Sequence, residues 1–347
     1  MKQFVKYGES PALDMQKVST ALSTRLPKFL GPWDYVKTTL GQSNPTFILS
    51  GKTDKLVLRR KPDGKLLKSA HMVDREYQVM KSLYPTLVPV PKVYYLCNNP
   101  SEIGAVYFVM EFVNGVAFAV PELLSLSFEQ RKRIYDEMNL GLVTLHKINP
   151  DVVGLTGYGK PGNYFKRQLS VWSKQFELSH TESIIEMEIL KDWLKKNVPE
   201  EIVPSRLVHG DWRIDNLIFS NTDYSLKAIL DWELSTLGDP RADLANQLMQ
   251  WSMPLGKEGR GLLGVDRTKL GIPEDQEYID LYSKRMGLTQ APDLEFAMAL
   301  SFFKMGAILQ GIKKRAINGN ASNSEKGIAL GKYVKVCAKS ALNYLKI

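Results

Sequence analysis

The chain has 347 residues, of which 44% are hydrophobic and 24% are charged. These ordinary globular values exclude a disordered or fibrous chain, and the length fits two domains or lobes. The 46 lysine and arginine residues outnumber the 37 aspartate and glutamate residues, which gives a formal net charge of +9. Such an excess favours an anionic partner: a nucleic acid, a membrane surface or a phosphorylated small molecule. Two cysteines, Cys97 and Cys337, are too few for a disulfide framework and fit a reducing compartment.

The N-terminal part of the chain carries mostly strand patterns, after an initial helical stretch over residues 12–30. Three short runs bounded by turn formers follow, at residues 34–40, 46–50 and 55–60. Their spacing predicts an antiparallel meander. Residues 66–83 then repeat apolar side chains at three- and four-residue steps, which predicts a helix, and Glu76 lies on its apolar face. Because burying an unpaired carboxylate is costly, Glu76 needs a partner.

Two further runs complete the strand-rich part. Residues 88–96 contain two prolines, which predicts an extended edge or a loop, and the continuous apolar run 106–110 predicts a central strand. Beyond Gly115 the patterns are helical, at residues 128–146, 164–176 and 184–197 and from 242 onward, with short apolar runs at 217–219 and 228–230. We therefore predict an N-terminal lobe over residues 1–112 and a larger, mostly helical lobe over residues 113–347.

No segment predicts export or membrane insertion. The N-terminus lacks a long apolar core. The longest apolar stretch, Phe296–Gln310, is interrupted by Lys304 and is too short to span a bilayer. We expect this stretch to form a buried helix, and we expect a cytoplasmic protein with no membrane partner.

Three kinds of motif-like stretch are not interpreted as ligand-binding sites. Ser50–Thr53 resembles the end of a P-loop but lacks the first glycine and a following helix, so a hairpin turn is expected. Gly259–Gly264 matches the dinucleotide fingerprint but has no strand before it, so a loop is expected. The basic runs 59–61 and 313–315 are accompanied by no nucleic-acid-binding motif, so we interpret them as solvated faces and expect no nucleic acid partner.

The strongest chemical pattern is His-Gly-Asp at residues 209–211, followed by Asn216 five residues after Asp211. A second apolar run then leads to Asp231, twenty residues after Asp211, where a buried strand is expected to end. Two acids and an amide in this arrangement suit phosphoryl transfer. One carboxylate accepts the proton of an attacking hydroxyl, while the other carboxylate and the amide oxygen hold Mg²⁺ against a triphosphate.

This pattern resembles the catalytic loop of the aminoglycoside phosphotransferase and choline kinase family, a branch of the protein-kinase-like fold. The resemblance covers about residues 30–250. Three stretches are similar to the kinase-like domain that is fused to acyl-CoA dehydrogenases in some animal proteins and also occurs alone in bacteria: 41–46, 58–62 and 69–71. The resemblance implies an α+β, two-lobe fold, with a five-stranded antiparallel sheet and one main helix in the N-lobe and a mostly helical C-lobe.

The resemblance also implies roles for the motif residues. Asp211 is then the catalytic base, and Asn216 and Asp231 are ligands of Mg²⁺. Arg59 occupies the strand position where most kinases carry a phosphate-binding lysine, and its planar guanidinium suits phosphate oxygens. Glu76 would pair with Arg59, which accounts for an acid on an apolar helix face; an ordinary ion pair is the alternative.

Six N-terminal residues are implied to contact the nucleotide: Gln42, Ser43, Asn44, Val57, Glu111 and Val113. The first three lie where the phosphate-covering loop belongs, so backbone amides and the serine hydroxyl would meet phosphate oxygens. Strand alternation puts Val57 on the same side as Arg59, where it would line the adenine pocket. The last two fall at the hinge, where main-chain groups contact the adenine edge.

Other residues near the motif have more than one interpretation. Arg213 lies where kinases place a cation near the transferred phosphate, but binding an anionic substrate or holding a loop is equally open. His209 and His146 are interpreted as packed, hydrogen-bonded side chains. Asp243 resembles the acid at the start of a helix that holds the catalytic loop.

We therefore predict an enzyme, a kinase that uses ATP and Mg²⁺ to phosphorylate the hydroxyl of a small-molecule substrate. The resemblance to the dehydrogenase-fused domain implies a hydroxyacyl-CoA or a hydroxy acid. An aminoglycoside or choline-type substrate is the alternative, as is a module that binds a nucleotide without catalysis. Residues 1–112 hold 16 basic and 9 acidic side chains, so the positive charge lies mainly in the lobe expected to bind the triphosphate.

Overall fold

The computed structural model describes residues 13–38, 44–62, 72–160, 162–201, 205–256, 259–319 and 324–347. Within these ranges the strands, in chain order, are β1 (Asp34–Lys37), β2 (Thr46–Ser50), β3 (Lys55–Arg60), β4 (Val93–Cys97), β5 (Tyr107–Glu111), β6 (Arg206–Val208), β7 (Leu217–Phe219), β8 (Leu226–Ile229) and β9 (Thr236–Gly238). The helices of the same ranges are α1 (Met15–Arg25), α2 (Val73–Leu83), α3 (Phe128–His146), α4 (Tyr164–Leu178), α5 (Ile185–Lys196), α6 (Arg241–Trp251), α7 (Arg267–Leu270), α8 (Asp275–Met286), α9 (Glu295–Ile317), α10 (Ser324–Gly331) and α11 (Tyr333–Leu345).

The chain divides into two compact units. Unit 1 comprises Met1–Val116 and Leu217–Ser235, and unit 2 comprises Ala117–Asn216 and Thr236–Ile347. The predicted division of the chain after residue 112 stays a prediction. The sequence patterns did not indicate that Leu217–Ser235 groups with the N-terminal part of the chain.

Unit 1 is built on a five-stranded antiparallel sheet, as predicted, and the structure gives its strand order as β1-β2-β3-β5-β4. β4, which follows Pro89 and Pro91, lies at an edge of the sheet, and the apolar β5 lies inside it. Burial alternates along β2, where Phe47 and Leu49 are buried and their neighbours are partly exposed, because successive side chains point to opposite faces. The buried pair packs with apolar side chains of α1, β3 and β5 in one core cluster.

Helix α1 is shorter than the predicted range of 12–30. It begins after Asp14, whose carboxylate accepts a hydrogen bond from the Lys17 N–H at 3.2 Å. It ends at Arg25 because Leu26 has left the helical conformation and Pro27 follows. A residue before proline is disfavoured in the helical region.

The other face of the sheet carries Arg59. Leu58 belongs to the core cluster, so alternation along β3 puts Val57 and Arg59 on the opposite side. Helix α2 packs on this face, where the rings of Tyr77 and Phe108 meet edge to face at 6.3 Å. The predicted helix over 66–83 is thus confirmed from Val73 onward, and residues 66–71 lie outside the described ranges.

The strands β7 and β8 pair as an antiparallel hairpin in unit 1. A backbone bridge joins Val116 to Phe219, and the approach at the neighbouring Gly115 is so close that a Cβ there would lie 2.4 Å from the Phe219 carbonyl oxygen. Asp231 follows β8 in a left-handed backbone conformation, with φ of 64°. The hairpin therefore delivers Asp231 at the end of a buried strand, as the apolar run before it predicts.

Unit 2 is mostly helical, and α9 lies in its core, where it packs against α4, α5, α6, α10 and α11. The apolar stretch 296–310 is part of this helix, which is longer than that stretch because its 23 residues extend to Ile317. By length and composition α9 is able to cross a membrane, which corrects the expectation that the stretch is too short. Since 72% of its apolar window is buried inside the protein, the predicted buried helix is confirmed.

The two glycine-containing motif fragments adopt the expected structures, whereas the basic run 59–61 is not a solvated face, because Arg59 is 6% exposed and Arg60 is 5% exposed. Gly51 donates its N–H to the Asp54 carbonyl at 2.9 Å in the turn between β2 and β3, so the P-loop fragment is a hairpin turn. Gly261 lies in a loop and donates to the Pro254 carbonyl at 3.0 Å. Residues 257 and 258, just before the glycine-rich fragment, lie outside the described ranges. So do residues 41–43 of the family-like stretch 41–46 and all of the stretch 69–71.

Candidate active site

A charge cluster in unit 1 is centred on Arg59. Its Nε atom lies 2.9 Å from Glu76 Oε2, so the predicted ion pair is present. Its Nη2 atom lies 2.6 Å from Asp231 Oδ1, a contact that the sequence did not predict. Strand β3, helix α2 and the turn after β8 supply these three residues, which we call the Arg59 cluster together with Asn44 and Glu233.

Asn44 joins the acids of this cluster. It is fully buried, and its Nδ2 atom donates to Glu76 Oε1 at 2.9 Å and to Glu233 Oε2 at 3.3 Å. The prediction for Asn44 concerned its backbone amide and a phosphate, and that role stays a prediction. The Asn44 side chain also holds Glu76 and Glu233 in position through these two hydrogen bonds.

Burial and neighbouring charges shift the pKa of two members of the cluster, Glu76 and Arg59. Burial raises the pKa of Glu76 to about 7, with help from the negative charges of Asp231 and Glu233 and against the opposing effect of Arg59. Burial alone would lower the pKa of Arg59, but the three carboxylates raise it well above its ordinary value. The guanidinium is therefore permanently charged, while the acids repel one another.

The donor set of this cluster fits a hard divalent cation. One carboxylate oxygen each from Glu76, Asp231 and Glu233 lies within 4.8 Å of the others. Oxygen ligands of this kind suit Mg²⁺. Among the residues predicted to bind metal, Asp231 belongs to this group.

Three of the other residues predicted to contact the nucleotide are described: Val57 lies on β3, Glu111 ends β5, and Val113 follows β5. Val57 is 8% exposed and shares the Arg59 face of β3. Glu111 ends β5, and its N–H donates to the Lys92 carbonyl at 2.8 Å; Val113 follows two residues later. Gln42 and Ser43 lie outside the described residues. The nucleotide roles of all these residues stay predictions.

The His-Gly-Asp loop of unit 2 holds Asp211 by neighbours in sequence. The Asp211 N–H donates to His209 Nδ1 at 3.2 Å, and Asn216 Nδ2 donates to the Asp211 carbonyl oxygen at 2.9 Å and to Asp211 Oδ2 at 3.1 Å. Asn216 directs its side-chain amide nitrogen toward Asp211. The side-chain oxygen of Asn216 makes no hydrogen bond within the described residues. That oxygen is the atom a Mg²⁺ ion would use.

Asp243 fixes the same loop from the first turn of α6. Its Oδ2 accepts the His209 N–H at 2.6 Å, and its Oδ1 accepts the Gly210 N–H at 2.7 Å. His146, fully buried, lies 3.2 Å from Asp243 and also bonds the Tyr282 hydroxyl at 2.8 Å. Burial would raise the pKa of Asp243, but the hydrogen bonds and the histidines lower it below its ordinary value. The loop-holding role that the resemblance implied for Asp243 matches these contacts.

Lys304 is a residue that the sequence analysis did not assign to the site. Its Nζ atom donates to the Gly210 carbonyl oxygen at 2.5 Å and lies over the Trp172 ring, 5.6 Å from the centroid. Burial lowers the pKa of this ammonium, although Asp211 and Asp243 oppose the effect. The available signal was a lysine inside the apolar core helix α9, where a charge needs a partner.

Arg213 forms an ion pair with Asp215 through two guanidinium nitrogens. Arg260 reaches the same carboxylate, with Nη1 2.8 Å from Asp215 Oδ2. Arg260 was also missed in the sequence, because 45 residues separate it from Asp215 and no spacing pattern links them. The structure thus gives Arg213 a carboxylate partner, and its predicted contact with a transferred phosphate stays a prediction.

These contacts describe a fixed carboxylate on a hydrogen-bonded loop. Asp211 is only partly buried, and its backbone is held at the carbonyl by Asn216 and at the N–H by His209. A positioned carboxylate of this kind can accept a proton from a hydroxyl group within hydrogen-bond reach.

Comparison with known proteins gives a consistent result. The model of the phosphotransferase enzyme family matches residues 36–276. A candidate aminoglycoside phosphotransferase from Ralstonia eutropha JMP134, solved by crystallography, is 40% identical, with a TM-score of 0.85 over 96% of this chain and 99% of that chain. Curated relatives include acyl-CoA dehydrogenase family member 10 of Mus musculus, 42% identical over 85% of this chain, and family member 11 of Rattus norvegicus, 39% identical over 90%. The chain spans only 28% and 41% of the lengths of these two relatives.

More distant solved structures show the fold alone. A spectinomycin phosphotransferase in complex with ADP and spectinomycin is 9% identical, with a TM-score of 0.64 over 98% of this chain and 100% of that chain. A thermostable mutant of aminoglycoside phosphotransferase APH(4)-Ia, in complex with AMP-PNP and hygromycin B, is 13% identical, with a TM-score of 0.62 over 94% of this chain and 98% of that chain. The predicted α+β, kinase-like fold class is thereby confirmed.

Proposed function

Because the chain belongs to the phosphotransferase enzyme family, we propose that it transfers the γ-phosphoryl group of ATP to the hydroxyl group of a small molecule. Family membership confirms the predicted class of enzyme, a phosphotransferase with an alcohol group as acceptor. The observation that carries the proposal is the geometry of Asp211, whose carboxylate is held by Asn216 on a loop fixed from α6 by Asp243.

Asp211 is the proposed catalytic base. In the reaction a substrate oxygen attacks the γ-phosphorus, the bond from that phosphorus to the β–γ bridging oxygen breaks, and ADP leaves. The proton of the substrate hydroxyl passes to the Asp211 carboxylate. Positioning matters more than covalent chemistry in this class of reaction, which agrees with the number of contacts that fix the loop.

Unit 1 supplies the proposed nucleotide contacts. Arg59 would bind phosphate oxygens, Val57 would line the adenine pocket, and Glu111 and Val113 would contact its edge. When bound, Mg²⁺ would neutralise part of the negative charge of the phosphates. Asp231 in unit 1 offers it a carboxylate oxygen. In unit 2, Asn216 offers an amide oxygen. The adenine nucleotides bound by two fold relatives support ATP as the donor.

The proposed acceptor is a hydroxyacyl-CoA or a free hydroxy acid. The support is the likeness to the two curated relatives, whose names make them acyl-CoA dehydrogenase family members. We also propose a cytoplasmic location, which is supported by two buried cysteines that form no disulfide. Aminoglycosides, cholines and nucleotide binding without catalysis are alternative outcomes of the experiment.

The test measures Mg²⁺-dependent production of ADP with each acceptor class, against a reaction without acceptor. We expect turnover with a hydroxyacyl-CoA or a hydroxy acid, and we expect Asp211→Asn to lower it by at least about 100-fold because the base is lost. Binding of AMP-PNP by the variant, measured by calorimetry, should be retained.

The matched control is Asp151→Asn, which changes an exposed acid of the same unit and should leave turnover unchanged. Turnover that persists in Asp211→Asn would remove Asp211 as the base. Tight AMP-PNP binding with no acceptor turned over would favour a nucleotide-binding module instead.

A further inference from the structure

A polar pocket of unit 2 begins two residues beyond Asp211. Its polar lining consists of Arg213, Asp215, Gln247, Gln250, Trp251 and Arg260. The first two belong to the catalytic loop region, the next three lie on one face of α6 at positions i, i+3 and i+4, and Arg260 comes from the loop after α6. The same helix therefore holds the catalytic loop through Asp243 and lines this pocket.

Among the described residues that line the pocket, two are cationic and one is anionic. Two guanidinium groups share the single carboxylate of Asp215, whose side chain is 15% exposed. Burial and the nearby charge of Arg213 lower the pKa of Arg260, although Asp215 and Asp211 oppose the effect. A further anion between the two guanidinium groups would relieve this repulsion.

Three buried polar atoms of the pocket have no hydrogen-bond partner in the part of the chain that the structure describes: Gln247 Oε1, Gln250 Nε2 and Trp251 Nε1. Gln247 is 2% exposed and Trp251 is 3% exposed, so bulk water does not surround either side chain. Buried polar atoms are nearly always paired in native proteins, and an unpaired one costs stability. These three atoms belong to residues that line one pocket, where a ligand can pair with them.

Together these groups define the chemistry of that ligand. The two guanidinium groups take an anionic oxygen group, the Gln250 and Trp251 N–H groups donate to oxygen atoms, and the Gln247 oxygen accepts from a hydroxyl or an amide. We propose that the pocket binds the acceptor substrate by its carboxylate or phosphate group, with Arg213 and Arg260 recognising the charge. This inference rests on the proposed function, since it names the acceptor's class as anionic.

A purely structural role accounts for less of the pocket. An ion pair that held the loop would need one arginine for Asp215, and it would leave the polar atoms of α6 unexplained. The excess positive charge also opposes a polycationic acceptor such as an aminoglycoside, because like charges would meet in a partly buried space.

The experiment compares charged and neutral forms of one acceptor. A hydroxy acid is paired with its amide, and a hydroxyacyl-CoA is paired with the hydroxyacyl-pantetheine that lacks the phosphates. We expect the wild-type enzyme to favour the charged member in kcat/KM, and we expect Arg260→Gln to reduce that preference about tenfold, the value of one charge-assisted hydrogen bond. A loss seen only with the acid pair identifies a carboxylate, and a loss seen only with the CoA pair identifies the phosphates.

The matched control is Arg133→Gln. Arg133 also lies in unit 2, is similarly exposed, at 47% against 42% for Arg260, and also pairs with a carboxylate, that of Glu137 at 2.9 Å. We expect this control to retain the wild-type preference. An equal effect of Arg260→Gln on the charged and neutral members would overturn the proposal.

A second variant tests the unpaired oxygen. Gln247→Leu removes a buried acceptor that has no partner within the described residues, so we expect a melting temperature equal to or above that of the wild type, together with a higher KM for the acceptor. A lower melting temperature with an unchanged KM would show that Gln247 serves the fold and would overturn its part in binding.

Failure of this proposal and failure of the proposed function give different results. Calorimetry with the wild-type protein and AMP-PNP measures acceptor binding without transfer. Binding of the charged acceptor that Arg260→Gln weakens, with no phosphoryl transfer at any concentration, would support the pocket and contradict the kinase. Phosphoryl transfer with no preference for charged acceptors would support the kinase and contradict the pocket.

Discussion

At the scale of single residues, Arg59 contacts two other predicted site residues of unit 1. One guanidinium faces the carboxylates of Glu76 and Asp231, and Asn44 ties Glu233 to the same group. The cluster holds one cation and three acids, and burial together with the two neighbouring acids raises the pKa of Glu76. A divalent cation would offset this excess, so the arrangement fits a metal–nucleotide complex and exceeds what a simple ion pair needs.

We predict that Arg59→Met weakens both folding and nucleotide binding. It leaves two carboxylates without their cation, which should lower the free energy of unfolding by about 3 kcal/mol. The double variant Arg59→Met with Glu76→Leu removes the buried charge pair together and should recover much of that loss, but it should not recover the affinity for AMP-PNP. Urea denaturation and calorimetry measure the two effects, and recovered affinity in the double variant would contradict a direct role of Arg59 with phosphate.

At the scale of elements, helix α6 both holds the catalytic loop and lines the polar pocket, although it has only three turns. Its first turn holds the backbone of residues 209 and 210 through Asp243, and its last turn carries Gln247, Gln250 and Trp251. Nearly all of this helix is buried, so neither end can shift without disturbing its neighbours. A rigid helix of this kind fixes the distance between the catalytic loop and the pocket wall.

We predict that the stability contributed by Asp243 depends on pH. Its pKa lies below the ordinary value in the folded protein, so its contribution is present above pH 4 and is lost as the pH falls through the lowered pKa. Asp243→Asn should therefore lower the free energy of unfolding by about 2 kcal/mol at pH 7. The difference between variant and wild type should shrink below about pH 4. Urea denaturation at pH 7, 5 and 3.5 measures it, and a constant difference would show that the charge of Asp243 does not contribute.

Sequence patterns predicted elements best where a local signal and a periodicity agree. The predicted range 128–146 is the observed α3, which begins after a capping box formed by Ser127 and Gln130. The site was predictable where its residues are neighbours in sequence, as Asp211 and Asn216 are. Arg260 and Gln247 were not predictable, because tertiary packing alone brings them to the pocket and no spacing encodes it. For Lys304 the available signal was a charge inside an apolar stretch.

At the scale of the whole molecule, the positive charge is unevenly distributed. Residues 1–112 hold 16 basic and 9 acidic side chains, whereas residues 113–347 hold 30 and 28. A field of this sign attracts a triphosphate before any contact forms. The near balance of the remaining chain makes the local excess at Arg213 and Arg260 more informative, since it is not part of a generally basic surface.

We predict that nucleotide affinity depends on ionic strength. The Kd for AMP-PNP, measured by calorimetry at constant free Mg²⁺, should rise about threefold to tenfold between 50 and 300 mM KCl, because salt screens the exposed part of the attraction. A neutral hydroxyacyl acceptor should show a much smaller change. A Kd for AMP-PNP that is independent of salt would contradict electrostatic attraction by the N-terminal residues.

Unit 1 consists of two separate chain segments, Met1–Val116 and Leu217–Ser235, so the ribosome synthesises it in two stages. Arg59 and Glu76 leave the ribosome early, but Asp231 follows only after all of Ala117–Asn216 has been translated. Unit 1 therefore cannot be completed until the first segment of unit 2 has been synthesised, because Arg59 and Glu76 precede that segment and Asp231 follows it. For the same reason a chimaera that exchanges unit 1 between relatives must transplant two separate pieces of chain.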